Sequence, residues 1–398
     1  MRRRIAALVL WYVRARIPKD QSGDLSPHSK VFFLRGDRLF LTREAEMTRR
    51  KRADRPLSQQ PVPEVLAAKV RPPLAVVLGS PAEVVNLLKG LPAMPATCYQ
   101  MDLYQADRLR QALAAAGLAA DVVAAPDLWD LPAGFGSAVY MPARGGEREL
   151  KIDMVEQGFH VLRDRGAFCV WSSYANDPFF TALLKKIFGK VHAPPQPARG
   201  EPESVLWCLR EGDRPRRRHE VTFQSRLREG PSCRFVSRPG TFSYGSFDNG
   251  ARALCEVMEV EPGDRILDLG CGVGTNGVFA AQAAGPSGYV AFVDSNLRAA
   301  ALADLNARAN GLNQYEVFPT AAVEGPQPDS FDVVVANPPY YAGGGIALLF
   351  TERAKRLMTP QGKFFLVTRQ PEEVSEVVLD VFGEAEGVVH RGYTILCA

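Results

Sequence analysis

The apolar run Val333–Ala336 ends in Asn337-Pro338-Pro339-Tyr340. An amide, two prolines and an aromatic ring at that point could hold a planar, conjugated amine. Such a nitrogen is a poor nucleophile because its lone pair is delocalised. Hydrogen bonds to the Asn337 side-chain oxygen and the Pro338 carbonyl would hold it and aim the lone pair at an electrophilic carbon for in-line displacement. Pro338 and Pro339 fix φ and keep the acceptors stiff, and Tyr340 could stack on the face of an extruded base. Further upstream, ILDLGCGVGTNG (266–277) runs a strand into Gly270, Gly272, Gly274 and Gly277. Glycines there let the backbone approach a ligand and present N–H groups at a following helix N-terminus.

Gly272-x-Gly274-x-x-Gly277 alone also satisfies a dinucleotide pattern, with Asp294 at the end of the next strand. Two features point elsewhere. Asp268, before the glycines, would repel a pyrophosphate but suit a cation such as the α-ammonium of S-adenosylmethionine. Asn337-Pro338-Pro339-Tyr340 falls at a strand end facing the crevice where doubly wound sheets bind ligands. In this order and spacing, these motifs resemble a class I S-adenosylmethionine-dependent methyltransferase of the amino-methylating type. The resemblance implies that Asp268, Gly270, Cys271, Gly272 and Gly274 hold the cofactor, that Asp294 takes its ribose hydroxyls, and that Asn337, Pro338, Pro339 and Tyr340 serve the acceptor amine. SRPGTFSYGSFDNG (237–250) is similar to the segment that closes over the cofactor in this subgroup, with Phe242 and Asp248-Asn249-Gly250 in the matching places. A polar turn capping a helix from Ala251 explains Asp248 equally well.

These residues need a scaffold, and the chain supplies two of similar rhythm. Strand patterns at 74–80, 121–125, 135–142, 166–172 and 204–210 alternate with helical patterns. A second run follows at 264–270, 289–294, 331–337, 362–368 and 393–398. Such alternation predicts α/β architecture with mainly parallel sheets. FGSAVYMPARGG (135–146) can be laid over the segment from Phe331, putting Met141 in the place of Asn337, and the first run lacks a glycine-rich loop. The expected fold is two tandem doubly wound, Rossmann-like methyltransferase domains, the first degenerate. Its boundaries are a basic extension over 1–64, read as disordered, a degenerate domain over 65–210, an Arg-rich linker over 211–235 and a catalytic domain over 236–398. This arrangement resembles the tandem-domain bacterial rRNA guanine-N2 methyltransferases. It implies ribosomal RNA or a ribosomal subunit as partner and a guanine amine as acceptor. That subgroup carries Phe-His where Tyr340-Tyr341 stand here, so adenine amines and the glutamine amides of release factors stay open as acceptors, as does a non-catalytic RNA-binding role.

Composition sets the outer limits. With 46% hydrophobic and 23% charged residues in 398, the chain is long enough for two cores. The early apolar run Ile5–Val13 is shorter than the about 20 residues a bilayer requires, and a cytoplasmic protein is expected. The net charge of +4 conceals a basic first 60 residues and an acidic remainder. Arg214, Arg216, Arg217, Arg218, Arg226, Arg228, Arg234 and Arg238 form a second basic stretch that could contact phosphates. Seven cysteines without a CxxC pair, and five histidines away from ligand spacing, predict reduced thiols and no metal site.

Overall fold

The computed structural model describes residues 56–173, 177–194, 204–228, 230–339 and 345–398. The basic extension up to residue 55, and Tyr340 and Tyr341, lie outside these. Residues 57–64 join the first half: Leu57 is buried, and the Asn86 amide donates to the carbonyls of Leu57 and Gln60.

The first half runs α1 (Glu64–Lys69), β1 (Leu74–Val77), α2 (Pro81–Lys89), β2 (Ala96–Gln100), α3 (Leu103–Ala115), β3 (Asp121–Ala124), β4 (Phe135–Tyr140), α4 (Arg148–Val161), β5 (Leu162–Ser172), α5 (Pro178–Phe188) and β6 (Ser204–Leu209). Its sheet order is β3-β2-β1-β4-β5-β6, with β6 antiparallel to its neighbour. All four residues of β1 are buried, as expected of a strand with helices over both faces. Ser80 and Glu83 form a capping box that starts α2 at Pro81.

The second half begins with a hairpin, β7 (Val221–Ser225) and β8 (Cys233–Ser237), followed by α6 (Asn249–Val257). Then come β9 (Arg265–Leu269), α7 (Thr275–Ala284), β10 (Tyr289–Asp294), α8 (Leu297–Ala309), β11 (Tyr315–Pro319), β12 (Phe331–Ala336), α9 (Gly345–Leu357), β13 (Met358–Thr368), α10 (Pro371–Phe382), β14 (Glu386–His390) and β15 (Tyr393–Cys397). The sheet order is β11-β10-β9-β12-β13-β15-β14, parallel as far as β13.

The segment read as a linker therefore contains most of a hairpin, and arginines of the basic stretch make contacts with the first half. Arg214 donates to the Ile187 carbonyl at the end of α5 (2.9 Å), as basic side chains do at helix C-termini. Arg216 lies over the Trp129 ring, and Arg238 is buried against Asp127. Arg238 is thus committed to the fold, whereas Arg216 stays exposed.

The two sheets share an irregularity. Phe135 pairs with Leu162 and Ser137 with Ala167, just as Phe331 pairs with Met358 and Val333 with Lys363. Leu74 faces Ser137 as Ile266 faces Val333, and Ala96 faces Leu74 as Val290 faces Ile266. Carried along the strands, this register sets Val76, Gln100 and Met141 in the places of Asp268, Asp294 and Asn337. Both carboxylates and the amide are thus absent from the first crevice. Met141 is buried there, its Cε 3.0 Å from where a Cβ on Gly79 would stand.

The halves meet through equivalent loops. Leu103 N–H donates to the Ser295 carbonyl and Leu297 N–H to the Met101 carbonyl, both at 2.9 Å. Beside this pair, buried Arg298 donates to Asp127 (2.8 Å) and Asp153 (2.7 Å), and Gln157 donates to the same two carboxylates.

Candidate active site

β9 is the middle of the second sheet's cofactor-facing half, and Asp268 is its buried penultimate residue. The chain then turns through Gly270, Gly272 and Gly274, all at positive φ (67°, 56° and 84°). Gly274 is the N-cap of α7, so the loop delivers its N–H groups to a helix start. The glycines serve different needs. A Cβ on Gly272 would meet nothing within 4 Å, whereas one on Gly277 would lie 2.3 Å from the Phe292 ring. Gly272 is required for its left-handed backbone, and Gly277 for close packing of α7 on β10. Cys271 is buried in the core. Its N–H donates to the Val293 carbonyl, and burial pushes its thiol well above the ordinary value.

Two carboxylates flank this loop. Asp268 accepts from Gly277 N–H through Oδ2 (2.8 Å), while its Oδ1 is buried without a hydrogen-bond partner. Burial pushes its carboxyl up to about 7. Asp294, at the end of β10, accepts from Gly272 N–H and Asn296 N–H, both at 2.8 Å, and burial lifts it to about 6. An unsatisfied acceptor in a buried acid is costly, and a cation within reach would relieve it. The α-ammonium of S-adenosylmethionine would fit that need at Asp268. Asp294 is already tied to the loop, yet each of its oxygens keeps a lone pair for a ribose hydroxyl.

The acceptor half lies one strand away. Val335 pairs with Asp268 and Ala336 with Leu269, so Asn337, the next residue, leaves the sheet beside Gly270. Strands in a sheet are about 4.8 Å apart, which brings the amide next to the cofactor loop. Asn337 Nδ2 donates to Asp248 Oδ1 (3.2 Å). Asp248 is the N-cap of α6, accepting from Ala251 N–H at 2.8 Å. An ionised carboxylate only accepts, so the amide nitrogen must face it and the amide oxygen faces the other way. Pro338 is buried and Pro339 half-buried. Of the two readings of this segment, the structure shows Asp248 as the helix cap, which also holds Asn337.

Phe242 is 53% exposed. The segment around it is well fixed: Gly240 N–H donates to Glu147, and Asn296 Nδ2 donates to the Gly240 carbonyl. Asn296 also caps α8. It is a site residue that the motifs did not single out, although an Asn directly before a helical pattern is a recognisable N-cap signal.

Residues 232–397 match the family model described as methyltransferase small domain. Proteins similar to this segment include the ribosomal RNA small subunit methyltransferase C of Pseudomonas syringae pv. syringae. It is 29% identical over 168 residues, 41% of this chain and 49% of that protein. The protein of the same name from Chromohalobacter salexigens is 32% identical over 39% of this chain and 48% of its own length. The chain spans about half the length of these curated relatives. Among solved structures, a T. thermophilus 16S rRNA N2 guanine methyltransferase, in complex with AdoMet and guanosine, covers 85% of this chain and 92% of its own, with a TM-score of 0.66 and 23% identity. The likeness in fold therefore extends past the matched segment to both halves.

Proposed function

We propose that the protein transfers a methyl group from S-adenosylmethionine to the exocyclic amine of a guanine in ribosomal RNA. The observation that carries this reading is the Asn337 amide, turned by Asp248 so that its oxygen is the acceptor, one strand from the buried Asp268. The cofactor supplies an activated methyl group. Asp268 pairs with its ammonium, the loop from Gly270 to Gly274 gives it backbone donors, and Asp294 takes its ribose. Asn337 Oδ1 and the Pro338 carbonyl accept the two amine N–H bonds, and the Asn337 amide is held by Asp248 before the amine arrives. Tyr340 stacks the base. The names of the similar proteins point to small-subunit ribosomal RNA, and the structural neighbour, a 16S rRNA N2 guanine methyltransferase, favours guanine over adenine. Residues 236–398 would then be the catalytic unit, and the half over 65–210 a non-catalytic copy.

The test is methyl transfer from labelled cofactor to ribosomal RNA and, separately, to release factors. Asn337→Ala should abolish RNA methylation with cofactor affinity nearly unchanged; retained turnover removes Asn337 from the reaction. In the same assay Asp248→Ser keeps a cap for α6 but falls short of the amide, and kcat should drop by about 100-fold. Asp248→Asn, which still offers an acceptor oxygen to Ala251 N–H, should retain most of it. Label on release factors instead of RNA would replace guanine as the acceptor.

A further inference from the structure

Beyond Asn337 along the sheet, an open groove of about 590 Å3 is lined by Arg226, Arg228, Arg252, His390 and Arg391, with Glu256 its one acid among the described residues. Its place follows from strand pairing. His390 pairs with Tyr393 across the β14–β15 turn, and Thr394 pairs with Thr368 at the C-terminal end of β13. The turn carrying Arg391 therefore emerges on the same edge as Asn337, on the acceptor side. Helix α6 links the two places. Its cap Asp248 holds Asn337, and Glu256 in its last turn accepts from His390 Nε2 (2.6 Å). At 1.5 Å per residue these two acids stand about 12 Å apart along the helix.

Three of the groove's arginines are held in place. Arg252 donates to the Arg226 carbonyl (3.0 Å) and Ser225 Oγ (2.7 Å), with the Phe247 ring against its guanidinium. Arg228 donates to the Glu256 carbonyl (2.8 Å). Arg391 engages both Glu256 oxygens, through Nε (2.5 Å) and Nη2 (3.0 Å). A guanidinium has five N–H donors in a planar fork, so each of these keeps donors for a further acceptor. Among the described residues, four guanidinium groups against one carboxylate make the groove lining positive. Forks of this kind match phosphate oxygens, and a single small anion would leave most of so open a volume unfilled.

We propose that this groove binds the sugar-phosphate backbone of the RNA strand that carries the acceptor base, a few nucleotides away from it. The proposal rests on the reading that the acceptor is RNA. Helix α6 then acts at both ends, its start orienting the reacting amide and its last turn anchoring the strand.

Arg226 and Arg228 have exposed side chains, so Arg226→Glu with Arg228→Glu should leave the fold intact, checked by melting temperature and cofactor affinity. Binding of a small-subunit ribosomal RNA transcript is measured across a salt series. The double variant is expected to bind about 10-fold or more weakly, and its salt slope should fall by about 2 relative to the unchanged protein. Unchanged affinity and slope overturn the groove, whether or not the RNA is methylated. Groove-dependent binding of an RNA that is never methylated supports the groove and instead removes the proposed reaction.

Discussion

Asp268 is the residue whose chemistry is most exposed to test. Its carboxyl sits at about 7 in the folded protein because burial disfavours the charge, against an ordinary value of about 4 in the unfolded chain. Between those two values the unfolded state loses its proton first. Asp268 therefore lowers stability progressively as pH rises from about 4 to about 7. A bound ammonium favours the ionised form and reverses the shift, so cofactor binding near pH 6 must expel a proton. We expect affinity to rise from pH 6 towards pH 8, by at most about tenfold per unit for one such group. Calorimetry in two buffers of different ionisation enthalpy reads the proton directly, and Asp268→Asn should remove most of the release. Binding without proton release would show that Asp268 does not meet the cation.

At the scale of elements, the glycine loop separates two effects. Gly277→Ala puts a methyl 2.3 Å from the Phe292 ring, which should destabilise the fold by about 1–3 kcal/mol. Gly272→Ala has room but sits at φ 56°; its strain of about 1 kcal/mol should appear chiefly as lost cofactor affinity, because Gly272 N–H is tied to Asp294. Denaturant melts and cofactor titration distinguish the two, and equal stability losses would contradict this division. Much of this element was legible in the sequence, since glycine spacing after an apolar strand reports backbone demands directly. The central strands β1, β4, β9, β10 and β12 were legible for a similar reason: burial on both faces demands continuous apolar runs. The strand β2 was not. Ala96–Gln100 carries Thr97, Cys98 and Gln100, and Pro92 and Pro95 precede it, so its pairing with β1 and β3 comes from tertiary context rather than pattern. The hairpin β7–β8 was hidden likewise, because charge and Gly-Pro punctuation dominate its sequence. Asp248 was legible as a cap, but its reach to Asn337 spans 89 positions and no local pattern encodes it.

Across the whole molecule, the decisive contacts are those a sequence conceals most thoroughly. Arg298 lies one residue inside α8 and would pass for a solvent-facing helix residue, yet it is buried between Asp127 and Asp153 of the other half. Removing one partner of such a network leaves uncompensated buried charges, so Arg298→Met should cost about 3–5 kcal/mol. Because α8 starts just after Asp294, the variant should also bind the cofactor more weakly. Calorimetric unfolding together with titration checks both, and a loss below about 1 kcal/mol would mean that the network is replaceable by packing. The reciprocal hydrogen bonds of Leu103 and Leu297 carry a further implication. Equivalent loops that exchange equivalent bonds are what two identical subunits make across a two-fold axis. In such a symmetric pair every substitution strikes both sites at once. Within one chain the copies are released from that constraint: the counterpart of Arg298 by register is Tyr104, 49% exposed. One crevice could thus surrender its acids and amide to packing while the other kept them.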